Sequence, residues 1–232
     1  MARERRRKRN NVGMKRGWGT EISAAAAALF FIASAAGAGA EDAAVVEARA
    51  LLAVGKAAEA ARVLEPVCRR DPSAAAAGYY LGCCYAAAGR WEEARAFFER
   101  SATRYPDSPQ TYYNLGVVYN QLGNYRAAAH AFEECLLLDP ANGDADFNCG
   151  LAYYYAGEPV RAIQHLRAAR ALDPVASDVL YYLALSYEEI DRRVAAATWG
   201  EYLKAAAADP AERPYVETAR RHIAGLRGQP GL

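Results

Sequence analysis

Apolar and small residues return along this chain in a 34-residue rhythm. It is fullest between Tyr112 and Asn142. Tyr112, Leu115, Gly116 and Tyr119 share one helical face, Gly123 interrupts, Ala128 and Phe132 share a second face, and Pro140 closes. Spacings of three and four residues predict a helix, Gly123 a tight turn, and the following run a second helix. Pro140 ends that helix because proline cannot continue it. The same positions recur upstream as Leu81-Gly82, Tyr85, Gly89, Ala94, Phe98 and Pro106. Downstream they recur as Cys149-Gly150, Tyr153, Gly157, Ala162, Leu166 and Pro174. Self-similarity at this period predicts an array of stacked helix pairs.

The rhythm divides the chain into units 41–74, 75–108, 109–142, 143–176 and 177–212. The first unit is degenerate, keeping Leu51, Gly55, Ala60, Leu64 and Pro72. The fifth keeps Leu180, Leu183-Ala184 and Tyr187, then slips by two residues to Tyr202 and Pro210. A closing segment, 213–226, sets Val216, Ala219, Ile223 and Leu226 on one face and Glu217, Arg220 and Arg221 on another. That amphipathic pattern predicts a capping helix, with 227–232 as a disordered tail. Gly82, Gly116 and Gly150 are expected where two helices approach closely. Gly55, Gly89, Gly123 and Gly157 are expected in left-handed turns. Leu51, Tyr85, Tyr119, Tyr153 and Tyr187 are expected in the core.

The chain resembles the tetratricopeptide repeat family, whose 34-residue unit reads W-x₂-L-G-x₂-Y, then A-x₃-F, then P. Tyr112-x₂-Leu115-Gly116-x₂-Tyr119, Ala128-x₃-Phe132 and Pro140 match with only Trp replaced by Tyr. The resemblance covers residues 41 to about 226. It implies an all-α, right-handed superhelical solenoid of antiparallel helix pairs, five units and a cap. It further implies a concave face lined by the first helix of each unit, where such repeats hold a peptide or a partner helix.

Following that face by period gives Tyr79, Tyr113, Phe147 and Tyr181 as a row of aromatics, with Asn114 and Asn148 beside them. One turn on come Val117 and Leu151, then Asn120, Gln121, Tyr154, Tyr155 and Glu188. Aromatic rings offer contact area, and amides can bond a peptide backbone. The plainer alternative is that these aromatics pack against one another, a reading favoured for Tyr79 and Tyr181. Asp144, Asp178, Glu188 and Glu189 predict a neutral or mildly basic partner. One subgroup of the family clamps a C-terminal carboxylate with Lys, Arg and Asn. Only Asn114 matches it, and Tyr79, Asp144 and Asn148 stand where the others are expected, so that ligand is not implied.

Charge alters the picture at one end. Residues 1–40 hold eight Lys or Arg and two Glu, a net of +6, and the rest 20 basic and 25 acidic residues, a net of −5. The array therefore has no cationic excess for phosphates, which argues against nucleic acid. Basic residues 3–9, an uncharged stretch from Ile22 to Ala40 centred on Leu29, Phe30 and Phe31, and the ending Ala38-Gly39-Ala40 predict a secretory signal peptide cleaved after Ala40. Translation from Met14 would give a more compact signal. The alternative is an uncleaved anchor, since 19 uncharged residues just span a bilayer. Ten of those residues are alanine, which favours cleavage. The expected location is thus the bacterial periplasm, or else the inner membrane with the array outside the cytoplasm.

Candidate chemistry is sparse. His130, His165 and His222 show no i, i+4 pair, and no cysteine stands at ligand spacing from them in the sequence. Glu133-Glu134 reads as a polar helix face. Neither a phosphate loop nor a nucleophile with its base is present, so no catalytic residue, metal ligand or cofactor is expected. Cys68, Cys83, Cys84, Cys135 and Cys149 read as small buried residues at helix contacts. Stacking leaves open a Cys135–Cys149 bridge, or Cys68 with Cys83 or Cys84, in an exported chain. The function expected is a protein-binding scaffold or assembly factor, with a membrane-anchored or self-associating adaptor as the alternative.

Overall fold

The computed structural model describes residues 40–207 and 212–228. All of the predicted leader or membrane anchor but Ala40, and the last four residues of the tail, lie outside them. The described residues form eleven α-helices and no strand. They run α1 Ala40–Ala53, α2 Ala57–Arg70, α3 Ala75–Ala87, α4 Trp91–Arg104, α5 Pro109–Gln121, α6 Tyr125–Leu138, α7 Gly143–Tyr155, α8 Pro159–Leu172, α9 Ser177–Glu188, α10 Arg192–Ala206 and α11 Arg213–Arg227. Three-residue turns join the helices of a repeat, and four-residue links join each of the first four repeats to the next.

Local chemistry explains the regularity. Gly55, Gly89, Gly123 and Gly157 all take φ between 74° and 77°. At each, the glycine N–H and the next N–H reach back to the helix just ended, as in Gly123 to Asn120 O at 3.1 Å and Asn124 to Tyr119 O at 2.9 Å. This double closure satisfies orphan carbonyls and needs a residue without a Cβ. The fifth repeat has no such glycine. There Asp191 N–H bonds Tyr187 O at 2.7 Å, and the Asp191 carboxylate caps α10 by accepting from Arg193 and Val194 N–H. That different turn accompanies the shift in its landmarks. Pro72, Pro106, Pro140 and Pro174 each lie two residues beyond a second helix.

The chain divides into two compact units at Asn124/Tyr125, inside the third repeat. In the first unit, α1 packs on α2, α2 on α3, α3 on α4 and α4 on α5, and α3 also meets α1 and α5. Its core holds Leu64, Ala77, Leu81, Tyr85, Ala94 and Phe98. In the second, each helix from α6 to α11 packs on the next. Its core holds Phe132, Tyr153, Leu166, Leu183 and Trp199. A Cβ on Gly150 would stand 2.6 Å from Leu166 Cγ and 3.1 Å from the Ala162 carbonyl, so only glycine allows α7 and α8 to approach this closely. The helix α11 lays Ala219 and Leu226 onto a cluster of Leu180, Ala195, Trp199 and Tyr202, as the cap requires.

The repeated tyrosines are not all core. Tyr85 and Tyr153 are buried, but Leu51, Tyr119 and Tyr187 are half-buried. Tyr85, Tyr119 and Tyr153 each donate to the carboxylate twenty residues earlier: Glu65 at 3.1 Å, Glu99 at 2.8 Å and Glu133 at 2.6 Å. Such a hydroxyl must reach the edge of the packing, because a carboxylate is costly to bury.

Candidate functional site

The predicted binding residues fall on first helices of both units. In the first unit they lie on α3 and α5. The Asn114 amide donates to the Tyr79 hydroxyl at 2.9 Å and lies 3.8 Å from Cys83 Sγ. The Tyr79 ring packs edge-on against Tyr80 and Phe98. Burial pushes the Tyr79 phenol far above its ordinary range and the Cys83 thiol up to about 12. Val117 is 3% exposed, an interior side chain, which corrects the sequence reading there, while Tyr113, Asn114, Asn120 and Gln121 are half-buried. The Asn120 amide oxygen is itself buried and has no hydrogen-bond partner. An orphaned buried acceptor carries a desolvation cost that a donor from a ligand would relieve.

In the second unit the predicted residues lie on α7 and α9, and much of the expected surface is interior. This corrects the sequence reading at Phe147, Asn148 and Leu151, which are 7%, 6% and 6% exposed. Leu151 is an apolar side chain in the core. Asn148 is one turn beyond Asp144 and donates to its backbone carbonyl at 2.8 Å. Phe147 meets Tyr182 edge-on. Tyr154 and Tyr155 also pack on Tyr182, and the Tyr155 and Tyr182 hydroxyls share a hydrogen bond of 3.1 Å. Tyr181 packs among Tyr182, Trp199, Tyr202 and Tyr215. Glu188 is a further correction. Its carboxylate accepts from Trp199 Nε1 at 2.7 Å and pairs with His222 Nδ1 at 2.8 Å, so it anchors the cap from inside.

A second constellation was not foreseen. His165 and Cys149, 16 residues apart in sequence, are brought together with Glu133. One donor atom from each lies within 4.8 Å of the other two. His165 Nδ1 is 3.0 Å from Asp146 Oδ1, its Nε2 is 3.9 Å from Glu133 Oε1, and its ring stacks on Tyr153. No cysteine stands at ligand spacing from a histidine along the sequence; these groups meet in space, from α6, α7 and α8. None of the five cysteines is in a disulfide, which closes the bridges left open above. Cys84, Cys135 and Cys149 are buried.

Comparison with known proteins adds the family. The family profile "Tetratricopeptide repeat" matches residues 45–109 and 148–212, and a second profile of the same description matches 81–148. The first alone spans more than half of the chain. This protein belongs to the tetratricopeptide repeat family. Arrays of this family are protein-interaction scaffolds and are generally non-catalytic. Among solved structures, the chain is similar to MamA 41-end from Desulfovibrio magneticus RS-1, with a TM-score of 0.68 and 21% identity over 75% of this chain and 98% of that one. It is also similar to MamA from AMB-1, with a TM-score of 0.65 and 25% identity over 71% of this chain and 88% of that one. The first of these likenesses concerns the fold alone. A search of curated proteins returned no match.

Proposed function

We propose that this repeat protein is a non-catalytic scaffold or assembly factor of the cell envelope, which holds a segment of a partner protein on the first-helix face of its N-terminal unit. The observation that carries the reading is the unpartnered Asn120 amide oxygen on α5, one helical stripe with the half-buried Tyr113 and Gln121. Turning the half-buried Asn120 side chain outward presents that oxygen to a backbone N–H of an extended peptide, and Tyr113 supplies ring surface on the same stripe. The envelope location rests on the basic, then uncharged, then small-residue pattern of residues 1–40. The first unit is preferred over the second as the docking face because the aromatics of α7 and α9 are consumed by one another.

A second reading, an adaptor that associates through its outer helices, draws on the exposed apolar side chains Leu137, Val160 and Leu172 of α6 and α8 and on Val175. The two readings separate in one experiment. A photo-crosslinking residue is placed at Tyr113 on α5, and in a second variant at Val160 on α8. The scaffold reading expects a partner adduct at position 113 that falls about fivefold in Asn120→Ala plus Gln121→Ala, the loss of about one hydrogen bond. Adducts confined to position 160, or insensitive to the double substitution, would overturn it.

A further inference from the structure

The fourth repeat departs from its neighbours at three positions. Where the second and third repeats have Leu81 and Leu115, it has Cys149. Gly78 and Tyr112 are answered by Asp146, and Phe97 and Ala131 by His165. Each change replaces a side chain of the apolar packing pattern, or a glycine, with a potential metal ligand. Cys149 and His165 converge on Glu133, a residue that the earlier repeats share as Glu65 and Glu99, and Asp146 meets His165.

The convergence has the form of a metal centre. Cys149 is fully buried, its Sγ 3.6 Å from the Ala129 carbonyl. Above it, the Glu133 and His165 side chains are 35% and 21% exposed, so a path from solvent exists on their side. Asp146 is buried and grips Nδ1 of His165 at 3.0 Å. A carboxylate on one imidazole nitrogen turns the other outward as a lone-pair donor, which is how proteins commonly orient a metal-binding histidine. Tyr153 fixes Glu133 Oε1 in turn.

We propose that Glu133, Cys149 and His165 bind one zinc-class divalent cation through carboxylate, thiolate and Nε2, with Asp146 positioning the imidazole and a water completing the coordination. Oxygen, sulfur and nitrogen donors together suit zinc or cobalt(II), whereas calcium and magnesium prefer oxygen alone. Donors around tetrahedral zinc stand about 3.3–3.8 Å apart, so the three atoms close by about 1 Å on binding. The partly exposed Glu133 and His165 side chains can supply that movement. Binding breaks the Cys149 S–H bond, releases its proton to solvent and forms the metal–sulfur bond without a change of oxidation state. In the metal-free chain, burial and then the neighbouring carboxylates Glu133 and Asp146 hold the thiol well above its usual range. A cation among them offsets that repulsion. The nearest fixed cation, Arg161, is engaged with the Tyr153 hydroxyl at 3.1 Å and is exposed. The bound ion would tie α6, α7 and α8 together.

Cobalt(II) titration of the metal-stripped full chain tests this. The wild type should take up one equivalent, show a thiolate-to-cobalt charge-transfer band, and lose it when zinc is added. Cys149→Leu restores the residue of the earlier repeats and should abolish the band. His165→Ala, the residue of the third repeat, should weaken binding at least about tenfold, and Asp146→Asn about 10–100-fold. Cys135→Ala should bind as wild type does. Zinc should raise the Tm of wild type by distinctly more than that of His165→Ala at the same concentration. Absence of a charge-transfer band in wild type, or its survival in His165→Ala at unchanged affinity, would overturn the site. His165→Ala decides the matter even if Cys149→Leu fails to fold by circular dichroism.

Discussion

Tyr119 and Tyr153 each place a phenol against a carboxylate, and burial followed by that hydrogen bond raises both to about 12, from an ordinary 10.0. The sign of the consequence follows from proton counting. In the folded chain these phenols hold their protons more tightly than in the unfolded chain. Unfolding between pH 10 and 12 therefore releases protons, and the contribution to stability, complete below pH 10, is lost as pH rises through that window. Alkaline absorbance titration should show a tyrosine class ionising near pH 12, and denaturant midpoints should fall above pH 10. In Glu99→Gln the Tyr119 titration should move down toward 10, and an unmoved titration would exclude the carboxylate as a cause. The Glu–Tyr pairing was visible in principle, since Glu65, Glu99 and Glu133 repeat at the same period as the tyrosines. It was missed because glutamates on a helix ordinarily face water, and only the stacking of one repeat on the next decides which meets a hydroxyl.

At the level of elements, the last repeat shows how an array ends. The exposed face of α10 is covered by α11, and the seam between them contains a fully buried Trp199 whose ring stacks on His222 and meets Tyr181 and Tyr202 edge-on. Its indole N–H is held by Glu188. Trp199→Ala should cost about 3–5 kcal/mol in equilibrium unfolding, the range for emptying a buried aromatic site. Trp199→Phe, which keeps most of the volume and loses the hydrogen bond, should cost distinctly less. A loss below about 1 kcal/mol for the alanine variant would mean that α11 does not close the core. The amphipathic face of α11 could be read from its spacing. The involvement of Glu188 could not, because an acidic residue at the end of a first helix looks like groove charge until the cap is folded over it.

For the whole molecule, the open question is where the array works. If residues 1–40 direct export and are removed, mature protein recovered from a periplasmic fraction should begin at Glu41 by intact mass and N-terminal sequencing. Full-length protein that resists carbonate extraction from membranes would instead establish the anchor. Among the described residues, no helix is long and apolar enough to cross a membrane, so this decision rests on the leader. Division of the array at Asn124/Tyr125 also belongs to this scale. The best-formed repeat in the sequence is the one that the division crosses, which its landmarks give no reason to expect.

By itself the sequence determined the helix pairs, their turns and their order. Those properties depend on near neighbours: glycine at a positive φ, proline past a helix end, apolar side chains three and four residues apart. It also named the face on which Asn120 lies. Only the tertiary structure decided which residues of that face stay available. Val117, Phe147, Asn148 and Leu151 were lost to the interior, and Glu188 was lost to Trp199 and His222. The same packing gathered Glu133, Asp146, Cys149 and His165 from three helices. Burial and the meeting of side chains across helices are set by how repeats stack, and periodicity within one strand of sequence carries no measure of that distance.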